Sequence, residues 1–129
     1  MKKVVQTDQA PAAIGPYSQA VLDEVSGFLF CSGQIGLDPK SGSMVTGGVE
    51  AEFRQVLSNV AGLLSSVGFD LSDVVKTTLY LADMEDFSRV NALYGEAFPP
   101  PYPARSTVAA AGLPKGARVE LEIIARRRS

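Results

Sequence analysis

Between residues 49 and 67 the apolar positions recur at steps of three and four: Phe53, Val56, Leu57, Val60, Leu64 and Val67. That spacing lines one face of an α-helix, and Gly68 supplies a natural stop. A second helical stretch turns Phe87, Val90, Leu93, Tyr94 and Phe98 inward, with Asp83 placed to cap it and the prolines at 99, 100 and 101 to end it. Elsewhere the period falls to two, or β-branched residues run together between turn signals. Strands are predicted at 3–6, 17–22, 28–33, 74–81, 105–110 and 117–126. The order β-β-β-α-β-α-β-β points to an α+β fold, a single sheet with two helices packed on one face. In the last strand, alternation places Val119, Leu121 and Ile123 on one face and Arg118, Glu120, Glu122 and Ile124 on the other. The first set suits packing under the helices. The second set, polar but not wholly so, suits a subunit interface that encloses wet pockets.

Composition narrows the chemistry. A chain of 129 residues with 46% hydrophobic content, no internal repeat and no long linker reads as one domain spanning 1–129. Twelve basic and fourteen acidic residues leave a net charge of −2, so neither nucleic acid nor an anionic membrane is an expected partner. One cysteine, Cys31, and a start without an apolar leader fit a soluble protein of the cytoplasm. There is no histidine. That removes the commonest general base and metal ligand, so no metal site is expected, and catalysis would rest on carboxylates, Arg, hydroxyls, backbone amides and water.

Several residues then stand out. Arg105 follows Pro103 and Ala104, where the chain is extended, and its planar fork can grip a carboxylate or phosphate. It could equally pair with Glu120 or Glu122 on a neighbouring strand. Glu120 can act as an acid/base or orient a water, or be an ordinary strand carboxylate, and spacing does not separate it from Glu122. Tyr17 in "GPYSQA" can close a pocket or fill a core. "CSGQIG" at 31–36 ends a strand in small residues that let a ligand approach the backbone, without the spacing of a phosphate loop. Cys31 has no basic neighbour and reads as an inert thiol. Asn91 on the second helix is open between cap, surface and pocket. These residues alone say an α+β domain with a small-anion site.

The stretches "APAAIGPYSQA", "CSGQIGLDPKSG", "FRQVLSNVAGLLSSVGFDLSDVVKTTLYLADMEDFSRVNALYGEAF", "YPARSTV" and "LPKGARVELEIIA" resemble the RidA/YjgF family, in its order, from about Val4 to Arg127. The resemblance implies a chorismate-mutase-like fold, a homotrimer with ligand cavities between subunits, and cofactor-free hydrolysis of reactive enamines and imines. Its substrates would be 2-iminopropanoate and 2-iminobutanoate, its products 2-keto acids and ammonia. It implies that Arg105 holds the substrate carboxylate and Glu120 handles the water, on adjoining strands of one cavity. Tyr17, Ser32, Gly33 and Asn91 would line that cavity, and Glu122 keeps a structural role. Thr107 stands where active deaminases of the family often carry cysteine, and would serve through its backbone N–H. The compact "PPPYP" also departs from common members and could reshape a cavity wall. Two other readings stay open: a non-catalytic trimer that binds 2-keto acids, and an endoribonuclease or translation inhibitor, which the acidic charge and missing histidine support poorly.

Overall fold

The computed structural model describes residues 1–128. Six strands and two α-helices follow the expected order: β1 (Lys2–Val5), β2 (Ala20–Asp23), β3 (Phe28–Gln34), α1 (Val49–Ser65), β4 (Val74–Leu81), α2 (Phe87–Ala97), β5 (Ala104–Ala109) and β6 (Val119–Arg126). They form one mixed sheet in the order β1-β2-β3-β6-β4-β5, antiparallel throughout except for the parallel pair β4–β5. The last strand to be made therefore lies in the middle.

Its inward face sets the core. Leu121 sits opposite Leu79, Val119 opposite Leu81 and Ile123 opposite Thr77 on β4, while Ala125 meets Leu29 of β3. Over this face α1 lays Phe53, Val56, Val60, Leu63 and Leu64, all fully buried, and α2 adds Val90 and Tyr94. Fully burying such side chains contributes about 1.5–3 kcal/mol each. Both helices lie on this side, so among the described residues no helix covers the opposite face of the sheet.

Three local features depart from the sequence reading. The strand expected from Tyr17 begins only at Ala20, because Gln19 is buried and bound to the preceding loop. Its Oε1 accepts from Thr7 N at 2.8 Å, and its Nε2 donates to the carbonyls of Thr7, Ala10 and Pro11 at 2.9, 3.2 and 2.8 Å. Those bonds hold residues 7–19 as a loop and leave Tyr17 half exposed. Asp83 does cap, accepting from Glu85 N at 2.9 Å, but it caps a 3-10 turn, Met84–Asp86, from which α2 departs at Phe87. Arg118 leaves the open face altogether. It donates to both oxygens of the buried Asp86 at 3.0 Å, and its backbone N–H donates to Glu52 Oε1 at 2.9 Å. Those two carboxylates sit at the N-terminal ends of α2 and α1, where the helix dipoles favour negative charge. The start of β6 is thereby tied to both helices.

The loop that holds Tyr17 also rests on α1. A Cβ at Gly62 would lie 2.3 Å from the carbonyl oxygen of Gln9. Helix propensity alone favours Gly62→Ala by about 1 kcal/mol. Overpacking against backbone should reverse the sign, for a net loss of about 1–3 kcal/mol in urea or thermal unfolding. A stabilised Gly62→Ala protein would show that the loop does not rest there.

Candidate active site

On the open face, a cavity of about 570 Å³ is lined by Tyr17, Ser32, Gly33, Lys115, Glu120 and Glu122, among others. Its floor is built by an irregularity. The register of β3 on β6 breaks between Cys31 and Gln34, which takes Ser32 and Gly33 out of the regular ladder. Glu120 fills the space so released: a Cβ at Gly33 would lie 2.2 Å from Glu120 Oε2. Glycine is required there because a carboxylate, not a side chain of residue 33, occupies the volume. Ser32 contributes differently from its neighbour. Its N–H donates to Gln19 O at 3.0 Å and its hydroxyl to Ser18 O at 2.6 Å, so the pair offers a ligand bare Gly33 backbone rather than a hydroxyl proton.

Burial pushes the Glu120 carboxyl above the usual carboxylate range, and the like charge of Glu122 pushes it the same way. Glu122 is exposed and accepts a hydrogen bond from the Tyr80 hydroxyl at 3.1 Å, a bond that raises the Tyr80 phenol in turn. Lys115 is the residue the sequence reading missed. It adopts a left-handed φ of 56° and lines the cavity beside the two glutamates. Cys31 is inert as read: it is buried, and its thiol is pushed up to about 12.

Arg105 lies elsewhere. It sits opposite Thr77 on the β4–β5 ladder, and Thr77 is fully buried beneath the helices, so Arg105 projects toward α2. Its Nη1 donates to Asn91 Oδ1 at 2.8 Å, and its guanidinium carbon lies 4.6 Å from the Tyr94 ring centroid and 5.5 Å from that of Phe87. Thr107, two residues on, shares that side and sits opposite the buried Leu79. The pairing of Arg105 with Glu120 or Glu122 does not form. Among the described residues the ion pairs of arginine use Arg89, Arg118 and Arg128.

The expectation that the two residues lie on adjoining strands is also corrected. β4 stands between β5 and β6, and the two side chains leave opposite faces of the sheet. One protomer thus carries the expected residues in two clusters on opposite faces of the sheet: Glu120 with Tyr17, Ser32 and Gly33, and Arg105 with Asn91 and Thr107. The first can exchange protons with a water over exposed backbone. The second can hold a planar anion.

Comparison with known proteins shows what the chain is similar to. The family model described as endoribonuclease L-PSP matches residues 7–127. The chain is 50% identical over 125 residues to the 2-iminobutanoate/2-iminopropanoate deaminase of Bos taurus, covering 97% of this chain and 90% of that protein. The Homo sapiens protein of the same name is 49% identical over the same shares. Among solved structures, a protein of the conserved Rid protein family from Yersinia pestis superposes with a TM-score of 0.94 at 43% identity, covering 98% of this chain and 100% of that one.

Because a like charge disfavours ionisation, Glu122→Gln should lower the pKa of Glu120 toward the ordinary carboxylate value without restoring it fully, since burial remains the larger cause. Carbon-detected NMR titration of the side-chain carboxyls reads this directly. An unmoved Glu120 would mean that the two charges are screened from each other.

Proposed function

This chain belongs to the endoribonuclease L-PSP family, the YjgF/RidA family, and from that premise we propose that it is a cofactor-free hydrolytic deaminase of reactive enamines and imines. It converts 2-iminopropanoate and 2-iminobutanoate to the 2-keto acids and ammonia. The observation that carries this reading is the likeness to deaminases of that name across 97% of the chain. The Glu120 cavity gives the likeness a chemical reason.

An iminium carbon is already electrophilic, so the protein has to orient it, deliver a water and move protons. Glu120, ionised, takes a proton from water as the oxygen bonds to C2 and the C=N π electrons move to nitrogen. The proton then passes from Glu120 to the amino nitrogen, and the C–N bond breaks with its electron pair going to nitrogen. The C2 carbonyl forms as the hydroxyl proton passes through Glu120 to the departing ammonia, leaving Glu120 ionised again. The sum is iminium plus water to keto acid plus ammonium. A carboxyl held above its usual range is better matched to this two-way transfer near neutral pH. Arg105 holds the substrate carboxylate by its fork, with the Thr107 N–H beside it.

The two clusters are joined between subunits in this reading. Arg105 and Asn91 of one protomer face Glu120, Gly33 and Tyr17 of the next, in a cytoplasmic homotrimer closed around a threefold axis. Two features support it: Arg105 and Glu120 cannot reach one ligand within a protomer, and the uncovered face exposes Phe30 and Val108, 48% and 44% exposed, beside polar groups.

The decisive assay measures ammonia release from freshly generated 2-iminopropanoate alongside 2-oxobutanoate affinity. Glu120→Gln should bind the keto acid normally and lose about 10²–10⁴-fold in turnover. Gly33→Ala should do the same while staying folded, because its Cβ displaces only the flexible end of Glu120. Keto-acid binding with no ammonia release by the wild-type protein would make it a binding module instead.

Arg105→Ala should lose about 10²–10³-fold in kcat/KM, with little rescue by Lys, whose point charge cannot reproduce a two-bond grip. Near-normal activity in Arg105→Ala would remove it from the site. A monomer by light scattering at micromolar concentration would remove the shared site.

A further inference from the structure

Arg105 lies on the edge strand β5, where a long side chain with many torsions has no second strand to restrain it. Its guanidinium is nevertheless placed, by one stripe of α2. Phe87, Asn91 and Tyr94 stand at i, i+4 and i+7 and so share a helix face. Asn91 accepts the Nη1 proton at 2.8 Å, and the Tyr94 ring is the nearer of the two aromatic faces. Of the three, Tyr94 alone is buried, at 4% exposure. Its ring packs on Phe98 with centroids 4.4 Å apart, and its hydroxyl lies 2.7 Å from Thr77 Oγ1. Thr77 is in turn the residue opposite Arg105 in the β4–β5 ladder. The contacts therefore close a triangle. The ladder fixes Thr77 relative to Arg105, Thr77 fixes Tyr94, and the face of Tyr94 fixes the guanidinium.

We propose that Tyr94 is a positioning residue for substrate binding, its ring pinned through Thr77 so that the stacked guanidinium of Arg105 presents its fork to the ligand carboxylate. This rests on the reading of Arg105 as the carboxylate anchor. Stacking occupies the face of the guanidinium and leaves its N–H groups, which lie in its plane, to make hydrogen bonds. Asn91 takes one of five donors, and a carboxylate needs two of the remainder. A wandering arginine would have to be ordered at each binding event; a seated one is ready.

The experiment compares KM, kcat and 2-oxobutanoate affinity in single and paired variants, with thermal unfolding as the check on folding. Tyr94→Leu should raise KM and the keto-acid Kd about tenfold with kcat little changed, the pattern of lost binding common to ground and transition states. Tyr94→Phe combined with Thr77→Val keeps the ring and removes both hydrogen-bonding partners together, so no buried group is orphaned. That pair should raise KM about threefold, between wild type and Tyr94→Leu, because the ring remains while its pin to Thr77 is lost.

In an Arg105→Ala background, Tyr94→Leu should add nothing to KM, which a merely structural role would not produce. If Tyr94→Leu fails to fold, Phe87→Leu on the outer flank carries the test, with a rise in KM of about threefold expected and none overturning the proposal. A folded Tyr94→Leu protein with native KM overturns it, as does an additive double variant, or a phenylalanine pair as impaired as leucine. A large loss in Arg105→Ala with none in Tyr94→Leu removes the seat and keeps the anchor. No loss in Arg105→Ala removes both.

Discussion

Val119, Leu121, Ile123 and Ala125 pack beneath the helices at 0, 0, 1 and 0% exposure, so the side chains between them have no choice of face. That alternation along β6 is what places Glu120. Sliding the strand by one residue would drive Glu120 and Glu122 into the core, at several kcal/mol per buried charge, and expose the four apolar residues at once. The position of the carboxylate is thus held by hydrophobic packing on the other side of the same strand. The clasp of Arg118 on Asp86 and Glu52 strengthens the same constraint, since it fixes where β6 begins relative to both helices.

The protomer keeps its two principal charges apart and unneutralised. Glu120 has Glu122 for its charged strand neighbour on that face, and Arg105 rests on an amide and two aromatic rings. An ion pair between them would have lowered the carboxyl and occupied the fork with a protein group. Separation leaves the carboxyl high enough to exchange protons and the fork open to an external carboxylate. Both states cost some stability within the isolated protomer. In the proposed shared site, ligand binding between protomers offsets those costs.

Much of this was legible in the residues. The strand at Val74–Leu81 coincides with its predicted bounds, and the helix stripe from Phe53 to Leu64 is the buried one, because strong periodicity and flanking stops are local signals. Tyr17 was placed in a strand because nothing local shows that the amide of Gln19 binds three carbonyls of the loop before it. Arg118 was placed by alternation alone, whereas its partner Asp86 is 32 residues away in sequence. Arg105 and Glu120 were expected on adjoining strands from the family resemblance, and nothing local in β5 or β6 shows which strand lies between them. Sheet order is a tertiary outcome, and β4 takes the place between them.

The lack of histidine concentrates the acid–base chemistry instead of preventing it. Cys31 is buried and its thiol sits at about 12, and the Ser32 hydroxyl proton is engaged by Ser18. A carboxylic acid in water ionises near pH 4.3, too acidic to return a proton efficiently at neutral pH. Burial moves Glu120 above that ordinary range, and Glu122 adds to the movement. Substituting a glutamate for an imidazole therefore requires two further choices: a glycine to admit it into a desolvated space, and a second carboxylate near enough to be felt. The chain makes both close at hand, with Gly33 on the neighbouring strand β3 and Glu122 on β6 itself. Position 107 then has no need of a thiol in this scheme. Neither proton transfer passes through it, and a threonine beside Arg105 offers the carboxylate the same backbone N–H that a cysteine would.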